Sequence, residues 1–254
     1  MAFLEIKNLS RSFGGLRAVE NVSFNVEKGL IKAVIGPNGA GKTTLFNLVA
    51  GALEPHSGDV IFKGRSIYGL PTHRIAWRGI SRTYQNIKLF NDMTVLENIM
   101  VGRHRKSRAG FLRAMVPLPG TRREERESAE KAAGFASLLG LSDVLDARAG
   151  GLDFGRQRAV EFARALASEP ELLLLDEPAA GLNIHETLEL ADLIRKIRDM
   201  GITVLLIEHD MSLVMDISDE IAVLSYGVKI AEGPPKDIQK NPEVISVYLG
   251  DDNA

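Results

Sequence analysis

The stretch IKAVIGPNGAGKTTLFNLVAG, residues 31–51, decides the reading of this chain. Ile31 to Ile35 is a short apolar run suited to a buried strand, and Thr43 to Ala50 has helical character with Gly51 where a helix C-terminus favours glycine. Between them Gly36-Pro37-Asn38-Gly39-Ala40-Gly41-Lys42-Thr43 fits the phosphate-loop pattern G-x-x-x-x-G-K-[ST] in the strand–loop–helix setting that the pattern requires. Glycines let backbone N–H groups wrap a phosphate, and the helix N-terminus adds partial positive charge. Lys42 reaches the outer phosphates, and the Thr43 hydroxyl, followed by Thr44, suits Mg²⁺. At ~7% glycine per position a chance match is on the order of one in a hundred.

LLLLDEP (Leu172 to Pro178) ends an apolar strand in two adjacent carboxylates. Ligands of open α/β sheets gather at the carboxyl ends of the strands, which predicts that Asp176 and Glu177 emerge beside the phosphate loop. Asp176 suits Mg²⁺, and Glu177 suits polarisation of an attacking water. The plainer alternative for an isolated D-E-P is an acidic turn capping the next helix. Thr203 to Ile207 is another β-branched run, and His209 follows it at a strand's carboxyl edge, from which it could reach a γ-phosphate; alone it is a weak signal, since a His after a strand is more often incidental. Gln85, in SRTYQNIKLF, and Phe13, before the Gly14-Gly15 turn, are each weak signals, and Phe13 would equally serve as core.

The remaining pattern reads as strands at Phe3 to Lys7, Val22 to Val26 and Val60 to Phe62, with helices at Thr72 to Arg78 and His185 to Met200. Ile221 to Leu224 and Val228 to Ala231 flank Tyr226-Gly227 as a hairpin. Short apolar strands separated by helices imply a largely parallel buried sheet. Thr94 to Ala149 breaks the rhythm: Pro117, Pro119 and Gly120 interrupt it, and Arg123 to Ala133 is dense in charge and helix formers, which predicts a helical insertion. The 254 residues are 45% hydrophobic and 25% charged, with 31 Lys and Arg against 33 Asp and Glu, an ordinary globular balance that excludes a disordered chain. The absence of cysteine excludes disulfide staples, thiolate metal sites and thiol nucleophiles, without fixing a redox compartment. No run of 18 apolar residues occurs, and the opening MAFLEIKNLS lacks a signal-peptide core, which predicts a protein made and kept in the cytosol.

Taken in order, Phe13, GPNGAGKTT, Gln85, the helix starting at LDFGRQR, LLLLDEP, AAGLN and EHD resemble the nucleotide-binding subunits of ABC transporters over nearly the full chain. The resemblance implies an α/β P-loop NTPase core with a largely parallel sheet, an antiparallel β subdomain and a helical insertion. Its expected parts are a first core segment (1–93), a helical subdomain (94–168), a second core segment (169–233) and a C-terminal tail (234–254). It implies ATP and Mg²⁺ as cofactors, Phe13 stacked on adenine, and Thr43, Gln85 and Asp176 around the metal. Catalysis would fall to Glu177, His209, Lys42 and Gln85. SRTYQNIKLFNDMTVLENIMVGRH, the insertion before LLGL, and the ending VYLG are similar to the branch that serves branched-chain amino acid importers, although relatives importing urea, amides or other small solutes share much of this pattern. The implied partners are a second ATPase subunit, itself or a sister, two permease subunits, and indirectly an extracytoplasmic solute-binding protein, at the cytoplasmic face of the inner membrane.

One segment departs from the family. The signature, ordinarily L-S-G-G-Q or L-S-Y-G-Q and acting in trans on the partner's nucleotide, here reads Leu152-Asp153-Phe154-Gly155-Arg156. Where the serine donates to a γ-phosphate, Asp153 presents an acceptor. Two unit charges ~4 Å apart repel by several kcal/mol at an effective dielectric of ~20, offset in part by Mg²⁺ and Arg156. This predicts an impaired composite site; the alternative is that Asp153 simply N-caps its helix. A nucleic-acid-acting ATPase is a second functional class, supported by the basic cluster Arg103, Arg105, Lys106, Arg108 and Arg113 but opposed by the net charge of -2, so that no nucleic-acid partner is expected. A non-hydrolytic regulatory module is a third, opposed by the intact phosphate loop, Glu177 and His209.

Overall fold

The computed structural model describes residues 2–103 and 119–250. Backbone contacts divide the chain into two units, Met1–Gln85 with Glu171–Ala254, and Asn86–Pro170.

The first unit holds two sheets. β1 (Leu4–Phe13), β2 (Leu16–Val26), β4 (Ser57–Phe62) and β5 (Arg65–Ser66) form an antiparallel sheet in the order β2-β1-β4-β5. The second has the order β10-β9-β3-β8-β7-β6, built from β3 (Ile31–Ile35), β6 (Ile80–Arg82), β7 (Leu172–Asp176), β8 (Thr203–Ile207), β9 (Glu220–Ser225) and β10 (Val228–Gly233). All its neighbours are parallel except the β9–β10 hairpin. That hairpin turns at Tyr226 and Gly227, both at positive φ (46° and 82°), as a two-residue turn matched to strand twist requires.

Helix α1 (Lys42–Val49) joins the two sheets into one core. Its Leu45, Phe46, Leu48 and Val49 share a buried cluster with Leu4, Ile6, Val22 and Phe24 of the antiparallel sheet and with Leu172, Leu174, Leu205 and Ile207 of the parallel one. Leu173, Leu175, Val204 and Leu206, alternating with these along β7 and β8, are also fully buried. Burial on both faces explains the unbroken apolar runs of these strands. The unit also contains α2 (Thr72–Trp77), α6 (Ile184–Asp199), α7 (Met211–Ile217), α8 (Pro235–Ile238) and α9 (Pro242–Gly250).

The second unit contains α3 (Val95–Gly102), α4 (Pro119–Leu138) and α5 (Phe154–Ala167). Val95, Ile99, Ala132, Ala136, Leu141, Val160, Ala163 and Ala167 make its own buried core. Thr94 starts α3 with a reciprocal capping box to Glu97.

Several local expectations change. β1 and β2 run well beyond Lys7 and start well before Val22, because shifts in their mutual register break the alternation that marks a strand in sequence. β6 lies just after the helix expected at Thr72 to Arg78, where no strand is expected; three residues carry no period, and Ile80–Arg82 becomes a strand by pairing with Leu172–Leu174. Of the basic cluster, Arg103 is buried and paired with Glu169 at 2.9 Å, so it presents no charge to a nucleic acid, and the other four residues lie outside the described ones.

Lys32, the second residue of β3, lies buried, and a buried ammonium is tolerated only when paired. Its Nζ donates to the Asn25 carbonyl (2.6 Å), to Glu220 Oε2 (2.9 Å) and to Glu232. Burial pushes the Glu232 carboxyl up, but hydrogen bonds from Lys229 and Lys32 and their charges outweigh it and hold the pKa below the usual range. A depressed folded-state pKa stabilises above the unfolded value, ~4.3, and that contribution is lost as pH falls through the folded value. Glu232→Gln should therefore flatten the acid limb of a stability-versus-pH curve measured by urea unfolding between about pH 3 and 6; an unchanged limb would count against this network.

Candidate functional site

The phosphate loop is shaped by two close backbone approaches. A Cβ on Gly36 (φ +149°) would lie 2.1 Å from the Leu224 carbonyl oxygen of β9, and one on Gly41 (φ +96°) 2.1 Å from the Ala18 carbonyl oxygen of β2. Only glycine fits there, on space as well as on φ. The hairpin tip closes the loop further: Gly227 N–H donates to Ala40 O at 3.1 Å, and Gly227 O accepts from Glu20 N–H at 2.8 Å. Asn38 and Gly39 are exposed, Ala40 is buried, and Pro37 is half-buried. α1 then starts with neither a capping side chain nor an acidic residue in its first turn. Its N-terminal N–H groups and dipole are therefore open to an anion, with no acidic side chain in the first turn.

Lys42 folds back over this loop. Its buried ammonium donates to Gly36 O (2.6 Å) and Pro37 O (3.0 Å). Desolvation lowers its pKa, and the charge of Glu177 opposes that shift. Thr43 is exposed and Thr44 half-buried on the same first turn.

Asp176 and Glu177 leave β7 in different environments. Asp176 is buried, with Oδ2 accepting from Arg82 Nη2 at 2.6 Å. Glu177 has φ +47°, although it precedes Pro178 and would ordinarily be extended. Its N–H is tied to Ile207 O of β8 at 3.0 Å, and such a backbone persists only where neighbours impose it, commonly at functional sites. Glu177 Oε2 accepts from Gln85 Nε2 at 2.7 Å and lies 3.8 Å from His209 Nδ1. Thus Lys42, Gln85, Asp176, Glu177 and His209, spread over 168 positions of sequence, converge at the carboxyl edge of β3, β6, β7 and β8. Phe13, at the end of β1, is 43% exposed with the Arg11 guanidinium 5.0 Å above its ring, so it is not a core residue.

Three supporting residues escape a sequence reading. Glu208, fully buried, accepts from the N–H groups of Ala179 (2.7 Å), His209 (2.9 Å) and Asp210 (3.2 Å), joining the turn after Glu177 to the one that carries His209. Its only signal was adjacency to His209. Arg82 holds Asp176. Tyr248 of α9 buries its hydroxyl beside the Gly36 backbone; burial pushes its pKa up to about 12, partly opposed by Gly36.

The signature segment belongs to the second unit. Asp153 N-caps α5, its Oδ1 accepting from Arg156 N–H at 2.8 Å, which is the plainer of the two expected roles. The Arg156 guanidinium pairs with Asp143 at 3.1 Å and Asp153 at 3.7 Å. Leu152 is half-buried and packs on the unit's core, Phe154 is exposed and Gly155 half-buried.

Oxygen donors suit a hard cation. Among the described residues no group of three or more His, Cys, Asp or Glu side chains forms a metal cage. The Asp176 carboxylate and the Thr43 hydroxyl are oxygen donors of the kind that Mg²⁺ takes, one or two from the protein with phosphate and water completing the shell.

A family model described as ABC transporter matches residues 19–180, and one described as branched-chain amino acid ATP-binding cassette transporter matches residues 228–254. The high-affinity branched-chain amino acid transport ATP-binding protein BraF of Pseudomonas aeruginosa is 47% identical over 98% of both chains. The corresponding LivG protein of Escherichia coli is 43% identical over 98% of both. The crystal structure of a nucleotide-free ATP-binding cassette from an ABC transporter superposes with a TM-score of 0.85 at 33% identity, covering 98% of this chain and 99% of that one. An ADP conformation of an ATP-binding cassette superposes equally well at 32% identity. With the phosphate loop, the acidic strand end and the helical unit in the order expected of that family, the chain belongs to the ATP-hydrolysing, nucleotide-binding subunits of ABC transporters.

Proposed function

We propose that this chain is the motor subunit of an importer for branched-chain or related amino acids, held peripherally at the cytoplasmic face of the membrane. The convergence of Gln85 and His209 on one oxygen of Glu177, beside Lys42, carries the catalytic part of this reading. Likeness to BraF and LivG over nearly the whole chain supports the substrate class. No helix among the described residues is long and apolar enough to cross a membrane; in this reading the translocation path belongs to other subunits.

The loop N–H groups and Lys42 bind and orient the β- and γ-phosphates of ATP, and Phe13 stacks on adenine. Mg²⁺ would be held by Thr43, Asp176 and Gln85 and would supply charge neutralisation on the phosphates. Glu177 accepts a proton from the attacking water, which Gln85 and His209 help to place, and His209 contacts the γ-phosphate. Two subunits, this chain with itself or a sister, sandwich two nucleotides, each completed by the partner's signature segment. Their closure moves two permease subunits served by a solute-binding protein. Asp153 sets a carboxylate where this family places a donor, so the composite site that receives it turns over more slowly.

Three outcomes are expected. Glu177→Gln should retain ATP binding and lose turnover by about 10²–10⁴-fold in a steady-state phosphate-release assay; near-wild-type turnover would reject Glu177 as the base. Serine caps a helix about as well as aspartate, so Asp153→Ser with Arg156→Gln should keep the melting temperature while raising ATP turnover or ATP-driven association; if neither rises, the signature is not impaired. Tagged chain purified from its native membrane should bring a permease and a solute-binding protein that binds leucine, isoleucine or valine in calorimetry. A binding protein selective for urea or amides would reassign the cargo.

A further inference from the structure

Arg82 is placed where only a planar, two-pronged cation serves. It ends β6, three residues before Gln85, and its guanidinium makes two different side-chain bonds: Nη2 to Asp176 Oδ2 at 2.6 Å and Nη1 to Asn47 Oδ1 at 2.7 Å. The Tyr84 ring lies 5.1 Å from its Cζ and the Phe46 ring 5.9 Å, so aromatic faces restrict its plane. The ion pair is nearly closed to solvent, with 10% and 7% of the two side chains exposed. Phe46 and Asn47 belong to α1, the helix that the phosphate loop opens. The same short stretch therefore holds both neighbouring carboxylates, Asp176 through Arg82 and Glu177 through Gln85.

A buried ion pair is by itself weak evidence for a role in stability, because desolvation offsets most of its attraction. Its geometry carries more. A lysine ammonium lacks the fork that spans two acceptors in fixed directions, and loss of a residue that orients a metal ligand typically costs about 10–100-fold in metal affinity.

We propose that Arg82 is the positioning residue of the magnesium-side carboxylate, anchoring Asp176 to α1 through Asn47 and thereby setting how strongly Mg²⁺ reinforces nucleotide binding. The inference rests on the reading of Asp176 as the metal carboxylate. Arg82 takes Oδ2 and fixes the carboxylate plane relative to the helix that bears Thr43. The stretch leading to Gln85 thereby connects mechanically to the phosphate side of the site.

The test is ADP binding to the full chain by isothermal titration calorimetry, with Mg²⁺ and with EDTA, for wild type, Arg82→Gln, Arg82→Lys, Asn47→Ala and Asp176→Asn. In wild type Mg²⁺ should tighten ADP binding, and Asp176→Asn should remove that gain. Arg82→Gln should cut the gain by about 10–100-fold while binding in EDTA stays within about twofold, and Arg82→Lys should recover only part of it. Asn47→Ala, which leaves the guanidinium in place, should reduce the gain in the same direction and carries the test if Arg82→Gln does not fold. Equal losses with Mg²⁺ and with EDTA would make Arg82 a purely structural residue, and an undiminished or enlarged gain would equally overturn the proposal. If wild type shows no gain, or Asp176→Asn retains it, the metal reading of Asp176 fails, an outcome distinct from failure at Arg82 alone.

Discussion

Everything in the nucleotide site depends on how closely three backbones approach at the phosphate loop. Leu224 O of β9 and Ala18 O of β2 leave no room for a side chain at Gly36 or Gly41. The Gly227 turn bonds to both Ala40 and Glu20. The antiparallel sheet, the β9–β10 hairpin and the loop are thus fixed to one another by main-chain contacts that no rotamer change can relax. That rigidity is what a phosphate cradle needs, because N–H donors held in place incur no reorganisation cost when charge arrives.

Around this frame the charges are arranged in opposed pairs. Lys42 loses solvent and keeps its proton affinity partly through Glu177, while Asp176 is matched by Arg82. The two carboxylates are adjacent in sequence yet differently held: Asp176 is anchored by a guanidinium, whereas Glu177 meets an amide and an imidazole. The proposed division into a metal ligand, Asp176, and a base, Glu177, accords with that difference in surroundings.

The strands and loops that carry chemistry were legible where local pattern and burial coincide. Ile31–Ile35 and Thr203–Ile207 have the bounds that their apolar runs suggest, because strands buried on both faces admit little else. Legibility failed where an element exists only by pairing. β6 is three residues long, and the register shifts of β1 erase alternation over much of its length. It failed also for Arg82, Glu208 and Tyr248, whose partners lie 94 and 29 positions away in the first two cases and, for Tyr248, at the other end of the unit.

Local residue order and spacing suffice for the phosphate loop, the parallel core strands, the acidic strand end and membership of the ABC ATPases. Tertiary structure decided what no spacing encodes. Glu177 is the carboxylate shared by Gln85 and His209, Asp176 is held by Arg82, Asp153 spends its acceptor on a helix cap, and Arg103 is a buried partner of Glu169. These assignments depend on directions and distances between distant chain segments, and a single hydrogen bond of under 3 Å is fixed only when the packed core brings both ends together.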